Sequence, residues 1–142
     1  MEPAIDHWEP RTGIAIAIAK IAPYYNDFMV TQAVSFFVPK GLGDRVEAVR
    51  KEMLNAAIAT IDLHGKDSVG DLLPVFEDFL DTAPDDSSYD TVRQSVVILM
   101  GSLARHLDKA SINLILKKIY IFEIIIINCF RIILRCVLSL PS

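Results

Sequence analysis

Apolar residues recur at helical spacing along most of the chain. Val46, Val49, Met53, Ala56 or Ala57, and Ile61 fall three or four positions apart, which lays one apolar stripe along a helix. Val92, Val96, Leu99, Leu103 and Leu107 repeat the pattern. Shorter apolar segments alternate with these. Val30, Ala33, Val34 and Phe37 make one, ended by Pro39 and the Gly41–Gly43 turn; Val69, Leu72, Leu73, Phe76 and Leu80 make the next, ended by the polar stretch from Thr82 to Ser88. The first segment reads less cleanly, because Ile14, Ile16 and Ile18 alternate with alanines as a buried strand would. Helix is preferred, since alanine is the best helix former and the segment runs on through Lys20 and Ile21 past ordinary strand length. Pro74 has no amide to close an interior helical bond, so it is expected in a first turn or at a kink.

The elements repeat about every 40 residues. Arg11, Arg50 and Arg93, 39 and 43 positions apart, each precede an alanine-containing helical segment. Asp44 stands three residues before Glu47, and Ser87 three before Asp90, spacings that can cap a first helical turn. Asp6, Glu9 and Pro10 offer a start for the first. Helix, short loop, helix, loop at this period is the mark of the HEAT and armadillo class, in which each helix pair buries its apolar face by stacking on its neighbours. The predicted fold is all-α: a HEAT-repeat α-solenoid fragment of about three antiparallel helix pairs, at about 1–40, 41–84, and 85–110 onward.

Charge divides the chain at the same place as the pattern. Residues 1–110 hold 10 Lys and Arg against 17 Asp and Glu, a net of −7, whereas 111–142 hold 4 against 1, a net of +3. Ten of the 18 isoleucines lie between Ile112 and Ile133, so the tail raises the mean hydropathy to +0.37. As a membrane span it is poor, because Glu123, Asn128, Arg131 and Arg135 interrupt it. Three readings stay open: a second helix for the third repeat, of low stability; a segment lying on a membrane; or an aggregation-prone strand former, given the uncharged β-branched run Ile124–Ile127. The acidic opening residues Glu2, Asp6 and Glu9 do not form a secretory leader. Cys129 and Cys136 lie only in the tail, so neither a disulfide framework nor a metal pair is indicated and the expected compartment is cytoplasmic.

Specific runs carry a closer resemblance: His7-Trp8-Glu9-Pro10-Arg11-Thr12-Gly13, Val38-Pro39-Lys40-Gly41-Leu42-Gly43-Asp44-Arg45, Val49-Arg50-Lys51-Glu52-Met53-Leu54-Asn55, Leu72-Leu73-Pro74-Val75-Phe76-Glu77, and Val92-Arg93-Gln94-Ser95-Val96-Val97. Over about residues 2–110 the chain resembles the general control non-derepressible protein one type of translational activator, a very long HEAT-repeat solenoid. The resemblance implies a scaffold that associates with ribosomes and an ATP-binding-cassette partner and activates the kinase of initiation factor 2 alpha. The family's kinase-binding region has no counterpart here. It also implies a ladder of charge-assisted bonds between repeats through Asp44, Arg50 and Arg93, with Ser87 in place of the aspartate ahead of Arg93 and Ile5 ahead of Arg11. The tail departs from the family pattern and has the composition of translated noncoding sequence, as from an intron or frameshift.

No catalytic constellation, metal set or cofactor site is evident, and no small-molecule substrate is expected. His7, His64 and His106 lie far apart without partner cysteines and read as surface or loop residues. Gly41-Leu42-Gly43 lacks the further glycine and lysine of a phosphate loop. Glu77, Asp78, Asp81, Asp85, Asp86 and Asp90 could meet a cation or a basic partner, but a solvated helix end explains them more simply. Lys40, Arg45, Lys51, Arg105 and Lys109 are the candidates for ribosome or partner contact. The competing reading is a generic HEAT adaptor, or an inert truncated product without independent activity.

Overall fold

The computed structural model describes residues 5–109 together with Ile112, Asn113, Lys117 and Tyr120. Helix α1 spans Glu9–Ile21, with Pro10 in the first turn, where its missing amide costs nothing, and with Glu9 and Lys20 placed to complement the helix dipole. A 3-10 turn over Ala22–Tyr24 follows. Helix α2, Asp27–Phe36, is capped by Asn26, whose side chain accepts the Met29 amide at 2.9 Å. It passes into a widened turn over Phe37–Gly41, broken at Val38 and containing a cis Val38–Pro39 bond. Helix α3 runs from Glu47 to Thr82 and α4 from Asp90 to Ala104, the latter entered through a 3-10 turn at Ser87–Tyr89.

The sequence predicts a loop between two helices in the second repeat, with Pro74 in a first turn or at a kink. Instead the backbone stays helical for 36 residues, with Pro74 inside. It does not run straight. A straight helix of that length would reach about 54 Å at 1.5 Å per residue, and Met53 and Phe79 would lie about 39 Å apart on it. Yet a Cβ at Gly41 would stand 3.1 Å from the Met53 sulfur, while Val38 and Pro39 share a cavity with Phe79 and Thr82. The helix therefore folds back between Asp62 and Pro74, and its two arms form the pair that the repeat period calls for. Pro74 has no amide to donate to the carbonyl of Gly70, an exposed residue.

Three helices stack side by side in the same direction. Arg11 meets Asp44 at the start of α1 and the first arm of α3, and Ala22 meets His64 at their ends. Val92 faces Gly43 at the start of α4, and Arg105 meets Asp62 near its end. Most of each predicted stripe forms the core: Val49, Met53, Ala56, Ala57 and Ile61 on α3, and Val92, Val96, Leu99 and Leu103 on α4, are buried, whereas Val46, ahead of α3, and Leu107, beyond α4, are half-buried. Val30, Val34, Phe37, Leu72 and Phe76 are buried with them. In α1 the roles are reversed from what hydrophobicity alone suggests. Ala15 and, just beyond the helix, Ala22 are fully buried, while Ile14 and Ile16 are about half exposed. Small side chains on the inner face let α1 approach α3 closely.

A close approach also governs Gly43, where an added Cβ would lie 2.8 Å from the Pro39 carbonyl oxygen. Gly43→Ala is expected to force the turn apart at a cost of about 1–3 kcal/mol. Urea denaturation followed by circular dichroism checks this, and an unchanged midpoint would contradict it.

The chain divides into two units, 1–107 and 108–142. The four helices belong to the first. In the second, the Ile112 amide donates to the Asp108 carbonyl at 2.9 Å, and Ile112, Asn113, Lys117 and Tyr120 are helical. The rest of the isoleucine-rich segment, and with it the expected C-terminal helix, lies outside the described residues.

Candidate functional site

The edge where the stacked helices begin carries a connected set of charges. Arg11 forks onto Asp44, Nε to Oδ2 at 2.7 Å and Nη2 to Oδ1 at 3.1 Å, the planar two-bond geometry that makes arginine–carboxylate pairs strong. The same guanidinium donates to Asp6 at 2.9 and 3.3 Å. Asp6 also accepts Arg45 Nε at 2.6 Å. Asp44 does more than receive Arg11: its Oδ1 takes the Val46 amide at 2.9 Å, and its main-chain carbonyl takes Arg50 Nη1 at 2.7 Å. One aspartate thus ties the first repeat to the second and orders the turn into α3.

These contacts set the charge states. Hydrogen bonds from Arg45 and Arg11 hold Asp6 well below the usual carboxylate range, and Asp6 in turn raises Arg45 and, with Asp44, Arg11. Burial works to raise Asp44, but hydrogen bonds from Arg11 and the Val46 amide, with the Arg11 charge, outweigh it and leave the carboxyl lowered. Carboxylates held so firmly ionised are poor proton carriers near neutral pH, where a general base has its pKa close to the operating pH. Among the described residues no group of three or more His, Cys, Asp or Glu side chains could hold a metal ion. The arrangement clamps the first repeat to the second.

The third repeat closes on itself. Arg93, almost wholly buried, donates to the carbonyl oxygens of Pro84 and Asp86, the latter at 3.2 Å, and to Asp90 Oδ1 at 3.1 Å. Asp86 is lowered chiefly by the backbone amide of Ser88, which its side chain accepts at 2.8 Å. The structure therefore brings Asp44 and Arg50 together but keeps Arg93 apart from them. Arg11 and Asp6 are the partners that the sequence reading did not place. The spacing that marks Asp44 ahead of Arg50 lands on Ile5 ahead of Arg11, whereas the working carboxylate is one residue later, on a non-helical leader with no fixed spacing.

At the opposite edge, His64 is not a free surface residue. Its Nε2 lies 2.6 Å from the Ala22 carbonyl, an acceptor, so this nitrogen carries the proton, and the ring stacks on Tyr25 with centroids 6.5 Å apart. Asp62 holds Arg105 at 3.1 Å and His106 at 3.4 Å. Of the basic candidates, Arg45 and Arg105 are exposed but already paired, while Lys40 and Lys51 are exposed on the first unit and Lys109 on the second.

Consecutive helix pairs stacked in parallel, with an arginine fork between the first two, place the chain among the HEAT-type α-solenoids. Residues 1–105 match the family model described as "Stalled ribosome sensor GCN1, HEAT repeats", and the chain belongs to that family. It is 57% identical over 105 residues to the human protein named "Stalled ribosome sensor GCN1", covering 74% of this chain and 4% of that protein. To "Protein ILITYHIA" of Arabidopsis thaliana it is 37% identical over 115 residues, covering 79% of this chain and 4% of that one. To the "eIF-2-alpha kinase activator GCN1" of Saccharomyces cerevisiae it is 35% identical over 119 residues, covering 80% and 4%. The chain thus spans about one twenty-fifth of the length of these relatives. No solved structure matches it.

Proposed function

We propose that this chain is a non-catalytic segment of a ribosome-associated HEAT solenoid in the cytoplasm. It would contribute to activation of the initiation factor 2 alpha kinase through contact with ribosomes rather than by binding the kinase. The names carried by its relatives support a ribosome-sensing and kinase-activating array, and an ATP-binding-cassette partner belongs to the same reading. Residues 1–110 act as the repeat segment and 111–142 as a tail that departs from it. Asp44 and Arg50, completed by Arg11, set the spacing between repeats, and Arg93 performs the same anchoring within the third.

The candidate contact residues are Lys40, Arg45 and Lys51 near the start of α3, Arg105 at the opposite edge of the first unit, and Lys109 in the second unit. The observation that carries this assignment is the state of Lys40 and Lys51. Both are exposed beside a cluster in which Arg11 and Arg45 are already neutralised by Asp6 and Asp44. In a body of net negative charge, these lysines are placed to meet phosphate. Co-sedimentation of the full chain with purified ribosomes tests this. Lys40→Glu combined with Lys51→Glu should cut the bound fraction by about tenfold, and the wild-type affinity should fall with a log–log salt slope of about −0.7 to −0.9 per phosphate contact. Equal sedimentation of wild type and double variant would refute the assignment.

A further inference from the structure

An open cavity of about 590 Å³ lies on the side of the first unit built from the second arm of α3. Its walls are mostly apolar and rigid: Val38 and Pro39 from the widened turn, Pro74 and Phe79 from α3, and Pro84 and Tyr89 from the approach to α4. The three prolines present no amide, so these walls offer flat apolar surface with few donors. Neither the arginine clamp nor the exposed lysines uses this space.

The charge around it is one-sided. Between Lys66 and Arg93 the sequence has eight carboxylates and no lysine or arginine. Asp78 lines the cavity, Asp81 precedes the lining residue Thr82, and Asp85 follows the lining residue Pro84; all three are exposed. Arg93 does not offset them, because its guanidinium is buried and held by Pro84, Asp86 and Asp90. Lys40, next to Pro39, is the one cation adjoining a lining residue in sequence.

We infer that this groove is a docking site for a basic peptide segment of another protein, one in which an aliphatic side chain is flanked by arginines. The aliphatic group fits between the proline and phenylalanine walls, where it leaves water. The flanking guanidinium groups reach Asp78 and the Asp81–Asp85 rim, and one can lie on the Tyr89 ring as a cation on a π face. Nucleic acid and anionic lipid are disfavoured by the same carboxylates. The groove carries the opposite charge to the ribosome-contact lysines, of which Lys40 adjoins its Pro39 wall.

Fluorescence anisotropy of the full chain with a short labelled peptide of alternating arginine and leucine provides the test. Saturable binding is expected, weakened about tenfold by Asp78→Lys with Asp85→Lys, the loss of one well-placed charge contact or more. A peptide with serine in place of leucine should bind about tenfold less tightly, and one with glutamate in place of arginine should not bind. Tyr89→Ala, its helix content checked by circular dichroism, should weaken binding without altering the ribosome result. The inference fails if the chain does not bind the peptide, if the charge-reversed variant binds it as well as wild type, if the serine peptide binds equally, or if single-stranded RNA displaces it.

Discussion

Asp44→Ala is expected to destabilise the first unit by about 2 kcal/mol. The change removes the acceptor of the Arg11 fork and of the Val46 amide together, and hydrogen bonds to charged groups contribute about 1.5–3 kcal/mol. The partial exposure of Arg11, at 30%, keeps the effect toward the lower end of that range. The same residue predicts an acid signature. Asp44 and Asp6 both have folded-state values below the unfolded one. The stabilisation they supply is therefore fully present above the ordinary carboxylate range near 4 and is lost as pH falls through the lowered values. Wild type should lose stability steeply below about pH 4, and Asp44→Ala less steeply because one of the two linked carboxylates is gone. Urea unfolding at a series of pH values measures both effects. Parallel pH curves for the two proteins would mean that the fork is not a stabilising link.

Phe76→Ala should cost more, about 3–5 kcal/mol. Phe76 is fully buried on the second arm of α3, and truncation leaves a cavity that a close-packed interior cannot collapse to fill. Against a total stability of about 5–15 kcal/mol for an ordinary domain, such a loss should leave the variant unfolded at modest denaturant. Phe28→Ala gives the contrast: Phe28 is 70% exposed, and its removal should change the unfolding midpoint by less than about 0.5 kcal/mol equivalent. Similar midpoints for the two variants would contradict the packing described for α3.

The two outcomes rest on features that the sequence disclosed unequally. The α3 and α4 stripes were legible because both follow a clean helical period and carry large apolar residues inward. α1 was legible as a helix but not in its facing, since hydrophobicity favours isoleucine inside and close packing against α3 selected alanine. The continuous bend of α3 was hidden because His64 to Gly70 contains no proline, so local signals could not separate a loop from a helix that turns. Among the charges, Asp44 and Arg50 could be read from their spacing, and the family resemblance supplied their meaning. Asp6 could not, since it reaches Arg11 from the non-helical stretch ahead of α1. The apolar walls of the groove come from three separate segments and could be assembled only in space, although its acidic border was visible as a run without cations.

The placement of the charged bonds has a mechanical consequence. Repeats one and two are fastened at both edges, by Arg11 to Asp44 and by Ala22 to His64. Between repeats two and three the charged contact among the described residues is Asp62 to Arg105, at one edge, while Arg50 and Arg93 turn back onto their own turns. A stack fastened on both sides resists twist, whereas one fastened on a single side bends about the fastened side as a book does about its spine. Among the described polar contacts, the first joint is thus held at both edges and the second at one, so the second depends more on the apolar packing of α4 against α3.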